Sequence, residues 1–345
     1  MTVEPTPAYR AATAEIAVFD SDGRTLFTVT GRSPARMLNG VLSGAMPPPP
    51  REVEPGVWEG GATYHAVLTP KGKMISDLRA TLLGEEDGPG FLLDVPDAGR
   101  SQLREHFTKF LPPRFAKVED VSEELDALTV VGPGAAEALS RLALGLRVDA
   151  SWLSAAPEGA WRSAGLPPQS LLVARTADVW PAAWTVYGPV PSVRSLKVRL
   201  VEEGAVVGDV ETWETLRVET GRPAYGKEMD QKTLPPEAGI VDRAIDHAKG
   251  CYTGQEVIVR IRDRGHVNRE LRRLRLGEGP SPDVGAELLA TDGSEKVVGA
   301  ITSVVRSPKA GEVLALAYVR REAEEVLLGD RTVTVPEGFP RPLED

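Results

Sequence analysis

The sequence predicts an α+β protein, with a mixed strand-and-helix body followed by a small all-β unit. Two observations carry this reading. At 345 residues the chain is too long for one small core, and the usual ~100–200 residues per domain gives two or three. After Gly265 the pattern changes to short, alternating, β-branched runs: LRRLRL, AELLA, VVGAITSVV, EVLALAYV and RTVTV. Turn signals such as Ser281-Pro282-Asp283 and Asp292-Gly293 separate them. Short strands at this spacing predict a small barrel or sandwich. The boundary falls near 263–268, giving a body over 1–235, a connector over 236–264 and a C-terminal unit over 265–345.

Within the body, EIAVFDSDGRTLFTVTGRSP reads as two short strands with a turn at Asp20-Ser21-Asp22-Gly23. Ser33-Pro34 has the chemistry of a helix start, and a helix over Ala35–Leu42 would bury Met37, Leu38 and Val41. Pro47–Pro50 follows as a stiff connection. Residues 62–83 read as a β-hairpin turning at Pro70-Lys71-Gly72-Lys73. Phe91–Val95 is a strand, and Asp97 caps a helix over 98–111 with Leu103, Phe107, Phe110 and Leu111 at helical spacing. Leu128–Val131, Gly132-Pro133-Gly134 and Ala135–Leu146 read as strand, turn and helix. That turn lacks the spacing of a phosphate loop. Residues 147–170 read as a surface connection. Leu171–Ala174 and Ala183–Tyr187 are strands, and Val193–Glu203 is a helix. A helical turn over Glu211–Leu216 leads into an extended Arg217-Val218-Glu219.

Composition excludes several classes of function. No apolar run approaches the ~18 residues of a membrane helix. The N-terminus has no secretory-signal pattern, and the lone Cys251 suits a reducing compartment, so a cytoplasmic location is expected. One Cys with His65, His106, His247 and His266 shows no zinc-site spacing. An iron–sulfur cluster would need ligands from more than one chain. A net charge of −10 argues against direct nucleic-acid binding. The basic run RIRDRGHVNRELRRLR at 260–275 is either a solvated surface or a patch for an anionic ligand tail or partner.

Three places gather chemistry. Lys249-Gly250-Cys251-Tyr252-Thr253-Gly254-Gln255-Glu256 packs a cation, a thiol, an aromatic, an amide and a carboxylate between glycines. Cys251 is either a buried small hydrophobe or a thiol activated by Lys249. His247 would share a face with it if the segment were helical. Asp77, amid the apolar hairpin residues of Met74-Ile75-Ser76-Asp77-Leu78, is either a satisfied structural group or an acid/base. Arg217 and Glu219, on an extended segment, would point to one side as an ion pair or as polar recognition of a ligand, with Tyr225 nearby as a stacking face.

In this order, these pieces resemble the YgfZ-type folate-binding proteins, relatives of the glycine cleavage T-protein aminomethyltransferase. KGCYTGQE at 249–256 is the most specific match, continued by Val257-Ile258-Val259-Arg260 and Arg264-Gly265. Supporting matches are Pro70-Lys71-Gly72-Lys73-Met74 with Asp77, LRVETGRPAYGKEM at 216–229, Leu234-Pro235-Pro236-Glu237-Ala238, Val298-Gly299 with Thr302-Ser303, and Ala315–Val319. Residues 147–210 match only loosely. The resemblance implies an aminomethyltransferase-like fold of two mixed α/β subdomains and a C-terminal β-barrel around a folate channel. It implies tetrahydrofolate or a one-carbon derivative as ligand, contacted by Arg217, Glu219, Tyr225, Tyr252, Gln255 and Glu256. It further implies support of iron–sulfur enzymes, including tRNA-modifying ones, as protein clients, with Cys251 and Lys249 as the functional pair. The alternatives are folate-dependent aminomethyl transfer or demethylation through Asp77, which matches the T-protein's catalytic aspartate, and a non-catalytic scaffold. One departure stands out: the T-protein's acidic pterin motif should fall near Trp184-Thr185-Val186-Tyr187-Gly188, which holds no carboxylate.

Overall fold

The computed structural model describes residues 4–84, 90–142, 148–165 and 167–343. The body runs α1 (Pro7–Ala14), β1 (Ala17–Asp20), β2 (Arg24–Thr30), α2 (Pro34–Asn39), β3 (Arg51–Glu54), β4 (Val57–Leu68), β5 (Met74–Leu82), β6 (Phe91–Pro96) and α3 (Asp97–Phe110). It continues through β7 (Lys117–Asp120), β8 (Leu125–Val131), α4 (Ala135–Leu142), α5 (Ala150–Ala155), β9 (Ala160–Ala164), β10 (Leu172–Thr176), β11 (Ala183–Pro189), α6 (Val190–Glu202), β12 (Val206–Val207) and α7 (Val210–Thr220). The connector holds α8 (Pro235–Ala238), α9 (Val241–Ala244) and α10 (Gln255–Arg264). The C-terminal strands are β13 (Arg269–Arg275), β14 (Glu287–Leu289), β15 (Val297–Ser307), β16 (Glu312–Arg320), β17 (Glu325–Leu328) and β18 (Arg331–Thr334).

Twelve strands of the body form one sheet, ordered β12-β1-β8-β11-β10-β9-β4-β5-β6-β2-β7, with β3 also on β4. The long β4 joins its two halves. Val57–Gly61 pairs with β9, and Ala62–Leu68 pairs with β5. Each half carries its own helices. Leu139, Leu153 and Leu196 pack on Val130 and Val186 in one half, and Leu103 and Phe107 pack with Leu78 and Leu93 in the other. The halves close on each other around the fully buried Trp161, where Leu26 and Leu92 meet Ala127 and Leu172. Trp161 donates through Nε1 to the Gly61 carbonyl at 3.1 Å. Burying roughly 200 Å² of such a ring contributes about 5 kcal/mol.

Several local expectations need correcting. Residues 147–170 are not a surface connection, because they supply α5 and the interior strand β9. Their Pro, Gly and Ser content masked a short strand whose pattern rests on one tryptophan. α1 went unread, although Thr6 caps it by accepting from the Tyr9 amide at 3.1 Å, with Pro7 at its first turn. The helix over 35–42 ends at Asn39, Ser33 makes no side-chain cap, and Met37 is only half-buried. Phe110, expected in the core, is 41% exposed where the last turn of α3 leaves the sheet. Of the helix expected over 135–146, α4 accounts for 135–142, and 143–146 lies outside the described residues. Arg217-Val218-Glu219 is not extended: it continues α7 to a Gly221 cap at φ +77°.

The C-terminal unit is a six-stranded antiparallel sheet, ordered β13-β16-β15-β14-β17-β18. It curls until β13 and β18 approach each other, enclosing Leu274, Leu288, Ile301 and Val326. Its outer face docks on α7, with Val218 against Leu271, Leu314 and Leu316.

Candidate functional site

A cavity of about 350 Å³ opens between the two halves of the body. Strand register builds its floor. Tyr64 stands opposite Arg79, and Arg79 opposite Asp94, so all three share one face of β4, β5 and β6. Asp77 lies two residues before Arg79 and therefore joins that face. Polar side chains at alternate positions of an otherwise apolar strand are the sequence signal for this row.

Ion pairs hold the floor. Asp94 pairs with Arg24 and accepts from the Tyr187 hydroxyl at 2.7 Å. Asp178, from the loop before β11, accepts from Arg79 at 3.0 Å and from Arg243 at 2.8 Å. Burial pushes the Asp178 carboxyl upward, but Arg79 and Arg243 more than offset that and hold it well below the usual carboxylate range. Arg243 also pairs with Glu158 and lies 4.2 Å from the centre of the Tyr64 ring.

Asp77 is the exception on this floor. Its Oδ2 accepts from the Tyr64 hydroxyl at 2.6 Å, while its buried Oδ1 has no partner among the described residues. Burial raises its pKa, and the Tyr64 hydrogen bond and the Arg24 charge oppose that without cancelling it. A carboxyl with one oxygen fixed, the other idle and a raised pKa is poised to exchange a proton with something in the cavity.

The structure separates residues that the sequence reading grouped together. Arg217 reaches the cavity wall, as does Tyr225. All five Arg217 donors are taken, by Glu214, Glu228, Ser303 and the Arg222 carbonyl. Glu219 does not line the cavity. It leaves α7 on another side, where it accepts from the Tyr9 hydroxyl at 2.9 Å and from Ser307. The two cannot point the same way because a helix turns by about 100° per residue.

The segment Lys249–Glu256 lies outside the cavity. None of Lys249, Cys251, Tyr252, Gln255 and Glu256 lines it. Cys251 is exposed, and residues 247–254 are not helical, so no helical face pairs the thiol with His247. The Lys249 ammonium donates to the Leu42 carbonyl at 2.7 Å and the Gly44 carbonyl at 2.9 Å, and burial pulls its pKa down to about 8. Tyr252 is buried under it, 5.6 Å from the ammonium. Gln255 and Glu256 open α10. Gly254 is required where it stands: its φ is +85°, and a side chain would press a Cβ to 2.6 Å from the Thr69 carbonyl at the β4–β5 turn.

Beside Lys249, the fully buried His65 accepts at Nδ1 from the Gly44 amide at 3.0 Å, which leaves the Nε2 proton for Thr63 Oγ1 at 2.7 Å. Burial, then the Lys249 charge, lowers its pKa to about 3. A histidine with a depressed folded-state pKa contributes stability that is present above the unfolded value of ~6.5 and lost as pH falls towards the folded value. Stability, measured by urea melts, is expected to fall between those limits by several kcal/mol. The fall should be shallower in a His65→Gln variant. Identical pH profiles would remove His65 from this role.

Comparison with known proteins places the chain. Residues 7–249 match the family described as the GCVT N-terminal domain. The chain belongs to that family. Its GCVT relatives include the aminomethyltransferase of Rubrobacter xylanophilus, 32% identical over 278 residues, covering 80% of this chain and 71% of the relative. The aminomethyltransferase of Corynebacterium jeikeium is 29% identical over 336 residues, covering 91% and 81%. The glycine cleavage system aminomethyltransferase T of Bartonella henselae superposes with a TM-score of 0.76 at 17% identity, covering 97% of this chain and 89% of that one. The GCVT fold of mixed α/β halves and a curled C-terminal sheet is thus established. Among the described residues, no helix is long and apolar enough to cross a membrane, and no cluster of His, Cys, Asp or Glu is placed to hold a metal ion.

The cavity also holds residues that sequence reasoning missed. Arg24, Arg79 and Asp94 were legible in principle as polar breaks in strands. Asp178, Arg222 and Arg243 come from loops and a short helix, where nothing local marks them. The carboxylate missing from 184–188 has a neighbour in space, because Asp178 faces the same cavity as Thr185.

Proposed function

We propose that this protein is a tetrahydrofolate-dependent one-carbon transferase of the aminomethyltransferase type, with tetrahydrofolate or a one-carbon derivative held in the cavity between the body's halves. The single observation that carries the reading is Asp77, a buried carboxyl with an unpartnered oxygen inside that cavity. Membership of the GCVT family and the aminomethyltransferase relatives support it. The lining fits such a ligand. Tyr64, Tyr225 and Trp213 offer ring faces, and Asp77 Oδ1 is an acceptor waiting for an N–H. When bound, tetrahydrofolate supplies the nitrogen that receives the one-carbon unit. Tyr64 fixes Asp77 Oδ2, so proton exchange is confined to Oδ1. The raised pKa keeps that proton available nearer neutrality than on an ordinary carboxyl. The test is calorimetry with tetrahydrofolate, followed by an assay of methylene-tetrahydrofolate formed from an aminomethyl donor. Binding together with turnover above background is the expected result. Absence of folate binding would overturn the reading.

The second reading, support of iron–sulfur client enzymes by a YgfZ-type factor, rests on Lys249–Glu256 and on the exposure of Cys251. A Cys251→Ser variant separates the two. Because the thiol does not line the cavity, aminomethyl transfer is expected to stay within about twofold of wild type, since surface substitutions away from such features stay within ~0.5 kcal/mol. If the thiol serves client enzymes, their activity in cells carrying only the variant falls sharply. If those enzymes stay fully active, the thiol role is lost.

A further inference from the structure

The cations lining the cavity are almost all neutralised. Arg24 pairs with Asp94, Arg79 with Asp94 and Asp178, Arg217 with Glu214 and Glu228, Lys227 with Glu214, and Arg243 with Glu158 and Asp178. Arg222 is different. Its Nε donates to the Ala177 carbonyl at 2.9 Å, and among the described residues no carboxylate pairs with its guanidinium. It nevertheless lines the cavity, half-buried. Its backbone is pinned, with its amide donating to the Arg217 carbonyl at 3.1 Å and its carbonyl accepting from Arg217 at 2.6 Å.

Even a half-buried guanidinium without a paired counter-ion is costly, and the four N–H groups left on its two Nη atoms can hold a carboxylate bidentately. Burial and then the like charge of Arg243 lower the Arg222 pKa, and the more distant carboxylates of Glu158 and Asp178, both already paired with other arginines, do not offset this. The same cavity holds the complementary vacancy, the idle Oδ1 of Asp77. Tyr64 links the two: its hydroxyl bonds Asp77, and its ring lies against Arg243, the charge that acts on Arg222.

We infer that Arg222 is the cavity's receptor for a ligand carboxylate, while Asp77 meets an N–H of a ligand in the same cavity. The identity of that ligand rests on the one-carbon reading, but the unpaired charge does not. The carboxylate has two chemical sources: the glutamate tail of a folate, or an amino-acid-like amine acting as second substrate.

The test compares wild type, Arg222→Gln and Arg222→Lys by calorimetry with three probes. These are tetrahydrofolate, the tail-less 6-methyltetrahydropterin, and N-methylglycine as the smallest carboxylate-bearing secondary amine. Loss of one charged hydrogen-bonding partner predicts binding about tenfold to hundredfold weaker in Arg222→Gln, with partial retention in Arg222→Lys. If tetrahydrofolate weakens and the tail-less pterin does not, the carboxylate belongs to the folate tail. If N-methylglycine weakens and tetrahydrofolate does not, it belongs to the second substrate. Either pattern supports the inference. It is overturned if no carboxylate probe weakens relative to the pterin, or if all three weaken equally. Failure of wild type to bind either folate or pterin counts against the one-carbon reading alone, and the N-methylglycine ratio then decides the inference. If no probe binds wild type, both fall. A thermal melt guards against misfolding: ligand-free Arg222→Gln is expected to be at least as stable as wild type, whereas a purely structural arginine would cost stability.

Discussion

Arg217→Met is expected to destabilise the protein by roughly 3–5 kcal/mol, the range for breaking a buried ion pair by removing one partner. The side chain of Arg217 is 5% exposed and that of its partner Glu228 is 0% exposed. Glu228 is built in from every side: Oε2 accepts from Arg217 at 2.8 Å and from the Ala224 amide at 3.0 Å, and Oε1 accepts from Thr302 and Ser303 of β15. Methionine fills the space but leaves that buried carboxyl without its cation. Glu214 loses less, because it keeps Lys227. The loss should loosen the C-terminal sheet as well as the cavity wall, because Arg217 also donates to Ser303. Urea melts measure the cost, and the double variant Arg217→Met/Glu228→Gln should recover part of it. A loss below about 1 kcal/mol in the single variant would mean that water reaches Glu228.

The same residue marks how far the sequence could be read. LRVETG reads as a helical turn running into an extended segment, yet the Asp209 cap, which accepts from the Thr212 amide, and the Gly221 terminus make it the end of one helix. Tertiary burial overrode local propensity there. Hairpin β4–β5, strands β6 and β11, and the C-terminal strands other than β17 were legible because period-2 alternation and turn residues agree over enough positions; β17, four residues long, was not read. β9 was not, because five residues among prolines and glycines give no period, and its place in the sheet is decided by Trp161 finding the space between the halves. For the site, Asp77 stood out as a carboxylate in a strand whose nine residues are all buried. The rest of its surroundings arrives from β2, β6, α9 and two loops, so the charge balance that isolates Asp77 Oδ1 and Arg222 exists only once the sheet has closed. The signature segment illustrates the converse. Its residues are locally distinctive, while the contacts that set Gly254 against the β4–β5 turn and the Lys249 ammonium on the carbonyls at 42 and 44 come from residues far away in the chain.

Asp77→Asn should separate activity from stability in opposite directions. Asparagine keeps the volume and can still accept from Tyr64, so the cavity wall is preserved, but its NH2 then replaces the acceptor at Oδ1 and tetrahydrofolate affinity is expected to fall about tenfold, less than the rate. Proton exchange at Oδ1 is lost, and the transfer rate is expected to fall ~10²–10⁴-fold, the usual contribution of a positioned acid or base. The stability sign follows from the raised pKa. A carboxyl whose folded-state pKa exceeds its unfolded value contributes stability that is full below the unfolded pKa of ~3.9 and lost as pH rises through the folded value. Once ionised, Asp77 is a buried charge with one oxygen unpartnered, and asparagine removes that cost. The variant is therefore expected to be more stable than wild type near neutral pH by about 1 kcal/mol, typical for relieving a strained active-site group. The advantage should disappear on acidification to about pH 4. Urea melts at both pH values and the transfer assay read the two effects independently. A merely structural aspartate would lose stability on substitution and keep its rate. A slower but sturdier variant is the signature of a carboxyl held in an unfavourable state for its chemistry.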